Sequence, residues 1–151
     1  MSTQGLTVDQ ANNFLALEPH LVELLRKAVE GLSPAVHVFT AADLADVKQG
    51  TQKTPAVHLV YGGYRISADN GTSWELEHTW LAVVAVRNVA EVRSGKAARQ
   101  DAGLLVSRVM FALAGARVMG AVRPLALISP PSAGYSGGHQ YIPSAFKAAT
   151  V

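Results

Sequence analysis

The chain has 151 residues, 49% hydrophobic and only 16% charged, with no cysteine and a formal charge of +2. That length suits one domain able to bury roughly 68–70% of its unfolded surface, while the missing cysteine excludes a disulfide scaffold and a thiolate zinc site. The mean hydropathy of +0.19 speaks against disorder, and so small a net charge makes no case for a nucleic-acid partner.

Charged residues make up about 25% of an ordinary soluble domain. The deficit here points either to a large core or to a surface covered by partners, because interface centres are poor in charge. Residues 1–5 have neither a basic start nor an apolar run, so no secretory signal is expected. Residues 124–146 lack Lys, Arg, Asp and Glu but are broken by Pro130, Pro131 and Pro143. A spanning helix needs a sustained apolar run. The protein therefore reads as soluble and intracellular where it is made, with no membrane partner.

Residues 8–32 show helical periodicity through Ala11, Phe14 or Leu15, Leu21, Leu25, Val29 and Leu32, with a kink or break expected at Pro19 and His20. Gly31, Ser33 and Pro34 end it. Residues 35–39 follow as a short strand. Thr40 and Asp43 then form a weak capping box before a short helix over 41–47, and a polar loop covers 48–54.

Residues 56–66 and 73–87, rich in Val, Trp and Tyr, flank Ser67-Ala68-Asp69-Asn70-Gly71-Thr72, a strong turn signal. A single register would place Ile66 opposite Trp74, Tyr64 opposite Leu76 and Val60 opposite Trp80 on one face. The other face would set Arg65 against Glu75 and Tyr61 against Thr79, with Leu59 meeting Leu81 and Val57 meeting Val83. The hairpin base would be buried on both faces and the tip on one, making a projecting docking arm. Gly62 and Gly63 inside the strand suggest a bulge or a close backbone approach.

A second main helix is expected over 96–117, with Ala98, Ala102, Leu105, Val109 and Leu113 as its buried stripe and Lys96, Arg99, Gln100 and Arg108 off it. Short strands over 125–128 and 140–148 enclose a Pro/Gly/Ser-rich segment, 129–139, which reads as a mobile loop. This order predicts an α+β fold in a single domain: an antiparallel sheet of about four to five strands with a long hairpin, flanked by two main helices.

Chemistry is sparsely signalled. Gly134-Tyr135-Ser136-Gly137-Gly138 matches the G-x-S-x-G nucleophile elbow formally. The elbow needs a strand before it, a helix after it and a distant histidine, whereas His139 follows at once. His58 and His78, on one face in the single register, would sit roughly 13 Å apart by strand rise, too far to share an ion. Glu75 and Glu77 beside Arg65 read as a solvated ion-pair face. Arg87, Arg93, Lys96 and Arg99 gather around the start of the second helix without interleaved aromatics, and Glu91 and Asp101 interrupt them. They read as a solvated or partner-binding face. No catalytic, metal-binding or cofactor-binding residue is assigned.

The order of elements carries a resemblance. An amphipathic helix and a short strand precede the polar segment Lys48-Gln49-Gly50-Thr51-Gln52-Lys53-Thr54. Then come Pro55-Ala56-Val57-His58-Leu59-Val60-Tyr61 and Trp80-Leu81-Ala82-Val83-Val84-Ala85-Val86-Arg87, a long helix, and Gly138-His139-Gln140-Tyr141-Ile142. In this the chain resembles the tail terminator, or tail-completion, proteins of long-tailed bacteriophages. The resemblance implies a non-enzymatic virion protein without cofactors, assembled in the host cytoplasm. Its implied form is a ring, expected to be a hexamer, at the head-proximal end of the tail, where it stops tube polymerisation and presents the head-joining surface.

The implied partners are further copies of the chain, the tail tube protein and a head-completion or neck protein, with DNA only passing through the lumen. The interface candidates are Tyr61, Tyr64, Trp74, Glu75, Arg93 and Arg99. Two alternatives stay open: another neck, tube or head-completion component, and a small ligand-binding or nucleic-acid-binding module. Steeply salt-dependent DNA binding would mark the last.

Overall fold

A computed structural model of the chain describes residues 15–41, 53–87, 95–136 and 138–151, the stretch 95–101 by its backbone alone. The elements in order are α1 (Glu18–Val29), β1 (His37–Phe39), β2 (Ala56–Asp69), β3 (Trp74–Arg87), α2 (Gly95–Leu113), β4 (Ala126–Ile128), β5 (Gly134–Ser136) and β6 (His139–Thr150). The predicted strands at 35–39, 56–66, 73–87, 125–128 and 140–148 and the helix at 96–117 are all present with shifted ends. Of the expected helix over 41–47, residues 42–47 lie outside the described residues.

Pro19 falls within the first turn of α1, where a proline costs no helical hydrogen bond, so it opens the helix and does not kink it. The expected turns over 8–14 lie outside the described residues. Glu18 in the first turn and Arg26 and Lys27 in the last complement the helix dipole. Leu21, Val22, Leu25 and Val29 are buried, and Leu17 just before the helix joins them. In α2 the expected stripe is buried at Ala102, Leu105, Val109 and Leu113.

The sheet has six strands and is mixed, correcting the antiparallel expectation of about four to five strands. Its order is β1-β2-β3-β6-β4, with β5 also paired to β6. β1 runs parallel to β2, and all other pairs are antiparallel. β5 arises inside the segment expected to be a loop, because Gly134 to Ser136 fold back on Tyr141 to His139 as a small hairpin. β3 occupies one edge of β6 from end to end, so β4 and β5 share the other.

The long hairpin has a different register from the single one expected. At its base Val57 faces Val84, Leu59 faces Ala82 and Tyr61 faces Trp80. An irregularity between Tyr61 and Tyr64 then shifts the pairing, so that Tyr64 faces His78, Arg65 faces Glu77 and Ile66 faces Leu76. A second, between Ile66 and Ala68, sets Ala68 against Glu75 and Asp69 against Trp74. β2 also runs past Ile66 to Asp69, so the turn is tighter than expected. Asn70 N–H donates to the Ser73 carbonyl, and Gly71 N–H to Asp69 Oδ1 at 2.8 Å.

The core lies between the two helices and one face of the sheet. Val57, Leu59, Trp80, Ala82, Val84, Phe146 and Ala148 from the sheet meet Leu21, Leu25, Leu105, Val109 and Leu113 from the helices. His58 belongs to the opposite face, stacked on Phe39 with ring centres 5.3 Å apart. His58 and His78 therefore lie on different faces, not the one face first expected, and no cluster of three metal-ligating side chains occurs among the described residues.

Candidate functional site

β1 pairs with the first residues of β2, from Ala56 to His58, and among the described residues no strand pairs with the outer edge of β2 beyond them. Burial falls accordingly. Ala56 to Leu59 are buried, whereas β2 is exposed on both faces from Tyr64 onward. This corrects the expectation of a tip covered on one face. The tip is an arm with two chemically distinct sides.

The helix-side face is apolar. Pairing across the strands sets Tyr64, Ile66, Leu76 and Trp74 on that face. Tyr64, Ile66 and Trp74 are about half exposed. Tyr61, proposed with them, does something else. Its ring packs on Trp80 with centroids 4.9 Å apart, and its Oη lies 2.7 Å from Nδ1 of His78. His78 Nε2 is 2.9 Å from Thr150 Oγ1, so the imidazole ties β2 to β6 through β3. Burial lowers the His78 pKa and keeps the ring neutral, with one nitrogen donating and the other accepting. Burial likewise raises the Tyr61 phenol, with Tyr64 adding to it.

The opposite face of the tip is ionic. Glu77 is buried between two cations: Lys147 Nζ at 3.0 Å from Oε2, and Arg65 Nε, which donates to Oε1 at 2.6 Å. The Lys147 hydrogen bond, and then Arg65, hold its carboxyl below the usual glutamate range against the contrary effect of burial. Glu75 accepts from Ser67 Oγ at 2.6 Å and from Arg123 Nη2 at 2.8 Å, and these two hydrogen bonds lower its pKa in that order. The expected partner of Glu75, Arg65, belongs to Glu77. Glu75 is thus bound up within its own chain, on the side away from Tyr64 and Trp74.

Arg93 lies outside the described residues, and Arg99 is placed on α2 by its backbone alone. Arg87 is exposed at the end of β3 and lines a groove of about 350 Å³ at the base of the hairpin. Leu32, Pro34, Val86, Leu104 and Arg108 also line it. The sequence reading passed over Leu104 and Phe111, which are 70% and 81% exposed on the outer side of α2. Their seven-residue spacing, two helical turns off the buried stripe, was the available signal. Ser136 sits in β5 of a strand-to-strand hairpin, so the strand-to-helix turn of a nucleophile elbow does not form there.

No curated protein matches the sequence. Among solved structures, a chain from "Virion of native gene transfer agent (GTA) particle" is similar with a TM-score of 0.52, over 95% of this chain and 98% of that one, at 17% identity. That is a likeness of fold. The family model described as "Phage tail terminator protein" matches residues 10–151, which takes in both helices, the long hairpin and every other described strand. The chain belongs to the phage tail terminator family, and it is a structural protein of the phage tail.

Proposed function

We propose that the chain acts as a single domain that assembles into a closed ring of about six copies, the cyclic form that head-to-tail contacts generate when the rotation closes. The ring caps the head-proximal end of the tail tube, stops its polymerisation and presents the surface on which the head is joined. Its partners are further copies of itself, the tail tube protein and a head-completion or neck protein, with DNA passing through the lumen. The role is non-enzymatic and needs no cofactor. No helix among the described residues is long and apolar enough to cross a membrane.

The observation that carries this reading is the family match over nearly the whole chain. The exposed hairpin supports it: an arm with half-exposed Tyr64, Ile66 and Trp74, its outer edge paired by no described strand, is costly in an isolated subunit and useful in an assembly. Among the interface candidates, Tyr64 and Trp74 are the contact residues proper, and Tyr61 and Glu75 hold the arm's shape. Arg93 and Arg99 remain candidates for a partner-facing cationic edge at the start of α2.

The test is tail length. Tails assembled without this protein should be variable and overlong, and adding the purified protein should fix their length. Uniform tails of normal length in its absence would overturn the assignment.

A further inference from the structure

Among the exposed large hydrophobics of the described residues, which include Met119, Leu127 and Tyr135 elsewhere, two groups stand at the two ends of the long hairpin. One is the hairpin tip, with Tyr64, Ile66 and Trp74. The other is the outer side of α2, where Leu104, Arg108 and Phe111 fall within about 60° of one another at 100° per residue, facing away from the buried stripe. Leu104 and Arg108 also line the groove at the hairpin base, so helix face and groove are continuous.

Their charges are complementary. Asp69 stands at the tip opposite Trp74 and makes no ion pair among the described residues, its Oδ1 accepting only from a backbone N–H. Arg108 has no acidic partner there either and donates only to the Ala28 carbonyl, at 3.3 Å.

The tip cannot fill its own groove. Pro55, which lines the groove, adjoins the start of the fourteen-residue β2, and at roughly 3.3 Å per residue the tip is about 40 Å away. We infer that the hairpin tip of one copy seats in the groove and on the α2 face of the next, with Trp74 beside Leu104 and Arg108, and Asp69 near the Arg108 guanidinium. A groove of about 350 Å³ is large enough for an indole ring, and an arginine at its wall suits an aromatic face. Each copy gives one tip and receives one, so the contact is heterologous and propagates around a ring. The inference rests on the ring reading above and names the surfaces that would make it.

The absence of cysteine makes the test clean. Trp74→Cys and Leu104→Cys are introduced singly and together, and each variant is treated with a short bis-maleimide while the wild-type mass is followed by light scattering across concentration. The double variant should give a ladder of cross-linked species ending at the size of the wild-type ring, and each single variant dimers at most. Phe111→Glu should weaken association at least tenfold while leaving the thermal midpoint of the monomer unchanged.

A wild-type ring whose double variant gives no ladder would overturn the tip-to-groove contact and leave the ring reading standing. A wild type that stays monomeric, with no cross-link in the double variant at any concentration or on added tail tubes, would overturn the self-contact, and the terminator reading is then decided by tail length. With a maleimide–succinimidyl ester linker, which joins the introduced thiol to any nearby lysine amine, a Trp74→Cys variant that cross-links only to added tail tube protein would assign the tip to the tube and overturn the self-contact.

Discussion

His78 shows how one side chain can be at once buried, polar and structural. It is fully enclosed, flanked by Tyr61 and Thr150, and held neutral by burial. Its folded pKa lies below the unfolded value of about 6.5. Above that pH the ring is neutral in both states, and stability is at its full value. As pH falls below it the unfolded chain binds the proton first, so stability is lost progressively toward the folded pKa. Glu77 and Glu75, whose folded pKa values are also lowered, add a loss with the same sign at lower pH, below the ordinary glutamate range. Denaturation midpoints against pH should therefore fall in two stages, and His78→Gln should flatten the upper one alone. An unchanged upper stage in that variant would show that His78 is not its source.

Trp80 is the other residue with a sharp expectation. It is 2% exposed, and its indole N–H has no hydrogen-bond partner among the described residues. Trp80→Ala should cost about 3–5 kcal/mol through the cavity it leaves. Trp80→Phe should cost much less, because the ring volume lost is offset by removing an unsatisfied buried donor. Equal losses in chemical denaturation would mean that the N–H is satisfied after all.

At the scale of the element, the hairpin explains most of what sequence reading caught and missed. Alternating Val, Trp and Tyr on either side of Asp69-Asn70-Gly71 made two long strands and their turn legible. The register was not, because a single alignment of side chains assumes an unbroken ladder, and this one breaks at Gly62–Gly63 and again near Ser67. The glycine pair was the visible signal for the first break. Gly63 has φ +99, and a Cβ on Gly62 would meet Thr79 Cγ2 at 3.2 Å and the Thr79 carbonyl oxygen at 3.3 Å. Gly63→Ala should cost about 1–2 kcal/mol for the positive φ. By contrast, Trp74→Ser at the exposed tip should stay within about 0.5 kcal/mol in stability while impairing assembly. A large stability loss from Trp74→Ser would place that side chain in the core and remove it from the contact surface.

At the scale of the whole molecule, helix stripes and strand alternation were readable because both sit against one large core, where periodicity and burial coincide. The parallel β1 and the small β5 were not readable: three residues carry no directional signal, and Gly134 to Ser136 owe their strand to the β6 edge beside them. Surfaces are harder still, since the exposure of Phe111 shows in sequence only as a phase opposite the stripe of Ala102, Leu105, Val109 and Leu113, and not in its residue type. The low charge content is what the proposed contact surfaces share, for they carry few charges beyond Asp69, Arg87 and Arg108. That composition sets the character of assembly. A contact built on Trp74, Ile66, Leu104 and Phe111 with one ion pair gains mainly by burying apolar area, and a single exposed pair contributes only about 0–1 kcal/mol. Self-association should then weaken by no more than about fivefold on raising salt from roughly 0.05 to 0.5 M, where the Debye length shrinks to a few ångströms. It should also show a negative heat-capacity change. Binding that instead fell by orders of magnitude over that range would be the signature of phosphate neutralisation, and would move the cationic edge at Arg87 and Arg99, not the apolar arm, to the centre of the protein's function.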